Sequence, residues 1–132
     1  MLIGVPKEIK SDEYRIGLTP ESVEKLTQSG HEVMIEQNAG LGIGKDNKAY
    51  EDAGAEIVPT REEIFQRAEM IVKVKEPQLD ECALLRSDQI LFTYLHLAPD
   101  PEQVKALLAS GCRAIAYESV KADDGSYPLL TP

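Results

Sequence analysis

Short apolar runs along the chain alternate with segments in which apolar residues recur at three- and four-residue intervals, the two periods of strand and helix. Leu2 to Val5 is the first run. "TPESVEKLTQSG" (Thr19 to Gly30) follows with a threonine placed to cap, a proline at the first helical position, apolar Val23 and Leu26, and a glycine stop, which predicts a helix with both ends marked. "HEVMIE" predicts the next strand, "DNKAYEDAG" a short helix ended by glycine, "AEIV" a strand, and "TREEIFQRA" a helix with Thr60 as cap and Glu63 three residues later. "MIVKVKEP", "ILFTYLHL" and "CRAIAYESV" continue the strands, with "LDECALLRSD" a loose helix or loop and "DPEQVKALLASG" a helix between them. Only the tail "KADDGSYPLLTP" loses the period; "DDGS" reads as a turn, and the closing Thr131–Pro132 pair is a helix start. Strands and helices alternating at this spacing predict an α/β fold, an open and mostly parallel sheet with helices on both faces.

Length and composition narrow the function classes. At 132 residues the chain is one domain's worth. Charged residues at 28% and hydrophobic ones at 42% are a soluble balance. No apolar run approaches the roughly 20 residues of a membrane span. "MLIGVPKEIK" lacks the charged lead and long apolar core of a signal peptide, so a cytoplasmic protein without a membrane partner is expected. A net charge of -9 argues against a nucleic-acid surface, because phosphates require a cationic footprint. Cys82 and Cys112 are far apart in sequence and lack metal or redox spacing, so they are expected to be structural thiols, with no metal bound.

In parallel α/β sheets ligands gather beyond the carboxyl ends of the strands. Arg15 lies in the long loop after the first strand, Lys75 follows "MIVKV", His96 follows "ILFTYL" and Glu118 follows "RAIAY". Each has an ordinary structural explanation as well. Arg15 stands among Glu8, Asp12 and Glu13, as a solvated charge would. Lys75 alternates with Lys73, as on an exposed strand face, and His96 shares strand parity with Phe92 and Tyr94, as a core histidine would. An imidazole buried there without a partner would cost free energy. Convergence on one sheet edge is what favours a shared site. The glycines of "NAGLGIGKDN" fall between a strand and a helix, but Lys45 stands where the third glycine of G-x-G-x-x-G belongs, so a turn is expected rather than a nucleotide site.

Taken in order, "GVPKEIKSDEYRIGLTPESV", "GHEVMIEQNAGLGIG", "YEDAGAEIV", "KVKEP", "LFTYLHLA" and "IAYESV" resemble the N-terminal half of bacterial L-alanine dehydrogenases, within the alanine dehydrogenase and pyridine nucleotide transhydrogenase family. The resemblance covers nearly the whole chain. The histidine of "YLHLA" and the second lysine of "KVKEP" favour the dehydrogenase over the NAD(H)-binding part of proton-translocating transhydrogenase. Saccharopine-forming lysine dehydrogenases are a more distant likeness.

The resemblance implies a substrate-side domain, partly Rossmann-like, spanning residues 1–132, with an NAD-binding domain and a catalytic aspartate beyond Pro132. The chain is then expected to be a truncated piece, inactive alone and without bound cofactor. The implied activity of the full-length protein is reversible NAD-dependent oxidative deamination of L-alanine to pyruvate and ammonium, in a homo-oligomer that is often a hexamer. By the same resemblance Arg15 and Lys75 would hold the substrate and His96 would be the acid/base catalyst. Apart from the resemblance, Glu13 and Glu118 are expected as partners that tune this set, and Tyr94, two residues before His96, as a pocket-lining residue. A non-enzymatic acidic α/β interaction module is the alternative that the fold alone leaves open.

Overall fold

The computed structural model describes residues 1–96 and 100–130. Leu97, the last residue of the expected strand "ILFTYLHL", and the Thr131–Pro132 helix start lie outside the described residues. Six strands form one sheet: β1 (Leu2–Val5), β2 (Glu32–Glu36), β3 (Glu56–Val58), β4 (Met70–Val72), β5 (Ile90–Thr93) and β6 (Arg113–Ala116). Their order is β3-β2-β1-β4-β5-β6 and every pairing is parallel, so the sheet is wholly rather than mostly parallel. The connecting helices are α1 (Pro20–Gln28), α2 (Asn47–Asp52), α3 (Arg61–Arg67), the single turn α4 (Leu79–Cys82) and α5 (Pro101–Ser110). None of the described helices is long and apolar enough to cross a membrane.

Strand alternation divides the core in two. Val33 and Ile35 of β2 join Ile3, Val5, Val23 of α1 and Tyr50 of α2 on one face. Met34, between them, points the other way and packs with Ile64 and Phe65 of α3, Ile71, Leu91 and Leu107 of α5. Burial on both faces is why "VMI" reads as an unbroken apolar run. The expected caps form: Thr19 accepts from the Ser22 N–H at 3.3 Å and Thr60 from the Glu63 N–H at 3.3 Å. The Glu63 side chain, however, pairs with Arg67 at 2.7 Å.

Chain direction across the sheet reverses at β1, whose neighbours β2 and β4 lead to opposite edges. Such a reversal leaves a crevice between the two loops that diverge from it, where α/β proteins bind ligands. Here those loops are residues 6–19 after β1 and 73–78 after β4.

Candidate functional site

The loop after β1 approaches the end of β4 so closely that side chains are excluded between them. A Cβ on Gly17 would lie 2.7 Å from the Val72 carbonyl oxygen. The glycine turn presses on the same loop from the other side, since a Cβ on Gly42 would lie 2.2 Å from the Tyr14 carbonyl oxygen. These glycines serve chain approach, and Leu41–Ile43 is a 3-10 turn.

Held in this way, Arg15 presents a guanidinium whose side chain is 60% exposed. Its Nε and Nη2 donate to the two carboxylate oxygens of Glu13 at 3.0 and 2.8 Å, and the Arg15 backbone N–H donates to Glu13 at 2.9 Å. The Arg15 hydrogen bonds, aided more weakly by the charge of Lys75, hold the Glu13 carboxyl down at about 2. Arg15, Glu13 and Lys75 line one cleft of about 420 Å³.

Lys75 is fixed through its backbone. Its N–H donates to Glu8 at 3.0 Å, and its carbonyl accepts from the Thr93 hydroxyl at 2.9 Å. Lys73 does not share an exposed face with it. One residue past the end of β4 at Val72, Lys73 is buried to 1% exposure between Glu8 at 3.2 Å and Glu81 at 3.1 Å. Glu8 is likewise buried rather than a solvated loop charge. Sequence reasoning missed this triad because Glu8 and Lys73 are 65 positions apart and no local spacing connects them. The usable signal was weak: charged residues wedged among apolar ones in "GVPKEI" and "VKVKEP".

His96 is not a core residue. Leu91, Thr93 and Leu95 are buried, Phe92 and Tyr94 are half-buried on the other face, and His96 is exposed at the strand's end. Its backbone is left-handed, φ 43°. Glu118, in the turn after β6, accepts from the Leu95 and His96 N–H groups at 3.0 and 3.2 Å. Tyr94 stacks edge-on against Tyr117, centroids 4.8 Å apart, and lines a second cavity of about 300 Å³ together with Arg15 and Lys73. Burial raises the Tyr117 hydroxyl well above the usual phenol range, and it donates to the Lys73 carbonyl at 2.7 Å.

Arg15 and Lys75 are thus brought together, Tyr94 adjoins Arg15, and Glu13 and Glu118 contact Arg15 and His96 directly. His96 is absent from the described lining of the Arg15–Lys75 cleft and sits at the next strand end of the same sheet edge. His31 lies at the amino end of β2, half-buried, with Nδ1 3.4 Å from the chain's amino group. Cys82 is buried, which raises its thiol to about 11, and Cys112 is half-buried. Among the described residues no group of three or more His, Cys, Asp or Glu is arranged to hold a metal.

Known proteins share this fold. Residues 4–132 match the family described as alanine dehydrogenase/PNT, N-terminal domain. An alanine dehydrogenase from Methanococcus maripaludis is 55% identical over the whole chain, which covers 35% of that protein. One from Bacillus subtilis is 52% identical, again over the whole chain and 34% of the relative. A solved L-alanine dehydrogenase superposes over the whole chain with a TM-score of 0.94 at 52% identity, the chain covering 36% of it. A transhydrogenase from Sinorhizobium meliloti superposes over 89% of this chain and 35% of its own, with a TM-score of 0.82 at 30% identity. The chain therefore spans about a third of the length of these relatives, and by sequence and by fold it belongs to the alanine dehydrogenase/PNT N-terminal domain family.

Proposed function

We propose that this chain is the substrate-side domain of an alanine dehydrogenase subunit, which interconverts L-alanine with pyruvate and ammonium using NAD. The observation that carries this reading is the shared cleft of Arg15 and Lys75 at the sheet reversal, with His96 at the adjacent strand end. A 2-oxo acid and its amino acid each carry a carboxylate, and a planar guanidinium matches two oxygens while fixing the plane of the molecule. Arg15 orients the substrate. Lys75 brings a compact charge toward the carboxylate or the carbonyl oxygen, where negative charge grows as that carbon is attacked. His96 exchanges the proton on that oxygen, or on the attacking water, as imine, carbinolamine and ketone interconvert.

The glycine turn lacks the dinucleotide spacing, since Lys45 stands where the third glycine belongs. Gly40 and Gly42 serve close approaches of Tyr50 and Tyr14. NAD, which supplies the hydride chemistry, is assigned to the remainder of such a subunit, and the chain alone is expected to show no turnover. The likeness to a transhydrogenase carries a second reading, in which the chain binds NAD(H) instead.

The test is an NMR titration of the chain with pyruvate and, separately, with NADH. Pyruvate should shift the Arg15, Lys75 and His96 signals with a Kd that is roughly millimolar or weaker, because so small a ligand makes few contacts. His31, on the opposite edge, should stay still. Arg15→Met should abolish the response. No response of His96 at saturating pyruvate in folded protein, or equal shifts of both histidines, would overturn the reading; tight NADH binding would favour the second.

A further inference from the structure

We propose that Glu8 is a positioning residue for the Arg15–Lys75 cleft: its buried carboxylate fixes the backbone of Lys75, and Lys73 and Glu81 hold that carboxylate in place. The role in substrate binding rests on the cleft reading above; the hold on the backbone does not.

The geometry is that of a missing strand contact made good by a side chain. β1 pairs with β4 only as far as Gly4 opposite Ile71, after which the two chains diverge. On the far side the ladder runs on, with the Lys73 N–H donating to Phe92 at 3.1 Å and the Tyr94 N–H to Val74 at 3.3 Å. On the near side the Val74 and Lys75 N–H groups have outrun β1. Glu8, three residues past β1, turns back and accepts both, Val74 on Oε2 at 3.1 Å and Lys75 on Oε1 at 3.0 Å. Bonds to a charged acceptor are the strong ones, and these are screened from water. The loop that carries Arg15 and the segment that carries Lys75 are thereby tied at one carboxylate.

Lys73 faces both acids there. Its Nζ lies 3.2 Å from Glu8 Oε1, while Glu81 Oε2, 3.1 Å from the same ammonium, receives no well-directed hydrogen bond. Two carboxylates and one ammonium would leave an excess negative charge in a buried site. Burial raises the Glu81 pKa, and the nearby Lys73 charge opposes that rise. The Gln78 N–H still donates to it at 2.9 Å.

This arrangement separates positioning from stability. Glu8→Gln conserves shape and removes the excess charge, leaving Lys73 and Glu81 as a one-to-one pair. A carboxamide has a single acceptor oxygen and cannot serve both backbone N–H groups and Lys73 together. Three measurements on the chain test the proposal: amide hydrogen exchange, the thermal midpoint and the pyruvate titration. In Glu8→Gln we expect Val74 and Lys75 to exchange about tenfold faster or more, pyruvate to bind about tenfold more weakly, and Ile71, Leu91 and the midpoint to keep wild-type values. Unchanged protection of Val74 and Lys75 overturns the proposal. So does faster exchange with unaltered pyruvate affinity, and so does a lowered midpoint with uniform loosening of the core, which marks a merely structural role. If wild-type chain binds no pyruvate, the substrate reading fails, while the hold of Glu8 on Lys75 is still decided by the exchange of those two amides.

Discussion

Glu118 holds the backbone N–H of His96 at 3.2 Å, from a turn that follows β6, while its other oxygen holds Leu95 at 3.0 Å. The clamp keeps His96 at φ 43°, a left-handed conformation that costs a non-glycine residue about 1–2 kcal/mol. Removing it should let the histidine relax away from the sheet edge. In a full-length subunit carrying this domain, Glu118→Ala is expected to lower kcat by about tenfold to a hundredfold with little change in KM for pyruvate, the pattern of a misplaced proton-transfer group. A parallel rise in KM would show that Glu118 acts on substrate binding instead.

A single pattern runs through the site. Glu13 accepts the Arg15 amide, Glu8 the Lys75 amide and Glu118 the His96 amide. Each residue assigned to chemistry is pinned at its own backbone by a carboxylate. The sequence reveals the strands, the marked helix ends and the edge to which Arg15, Lys75 and His96 belong, because those follow from local period and capping. It conceals what Glu8, Lys73 and Glu81 do, since a long-range ion pair leaves no mark on local spacing. It also misleads at Lys73, whose place in "KVK" reads as an exposed strand face although the side chain is buried.

The Glu13–Arg15 pair gives a pH signature. Glu13 is held at about 2 against an ordinary 4.5, so its folded value is depressed. The stability it contributes is therefore complete above the ordinary carboxylate range and is lost as pH falls from about 4.5 through 2. Because Arg15 is largely exposed, solvent screening limits the contribution to about 1 kcal/mol or less. Glu13→Gln should unfold more easily than the wild type at pH 6, and the difference should shrink as acid is added. Urea denaturation of both proteins between pH 6 and 3 measures it, and a constant difference would contradict the pairing.

Glu81 predicts the opposite slope. Its folded pKa is raised by burial, so the stability linked to it is present below the ordinary carboxylate value and falls as pH rises through the folded one. Glu81→Gln should accordingly gain stability over wild type toward pH 8 and lose that advantage toward pH 4.5. Lys73→Met acts differently, because it leaves two buried carboxylates without their shared cation, at a cost of about 3–5 kcal/mol near neutrality. Denaturant curves for the two variants at both pH values distinguish these effects, and a Lys73→Met protein as stable as wild type would mean the triad is not closed in solution.

Two glycines of one turn separate crowding from backbone strain. Gly44 has φ 75° and nothing within 4 Å of where a Cβ would sit, whereas Gly42 would place one 2.2 Å from the Tyr14 carbonyl oxygen, immediately before Arg15. Gly44→Ala then meets only the left-handed penalty, about 1–2 kcal/mol, and should leave pyruvate binding as it was. Gly42→Ala must move either the turn or the loop, since backbone atoms and not a flexible side chain stand in the way. Tyr14 is exposed, so the loop is the part free to yield, and Arg15 moves with it. Pyruvate affinity should fall about tenfold in Gly42→Ala, because a guanidinium displaced by even an ångström no longer meets both oxygens of a carboxylate whose other end is held by Lys75. NMR titration of the two variants side by side decides the matter. Equal affinities would show that the turn takes up the displacement and that the glycine approach does not set the place of Arg15.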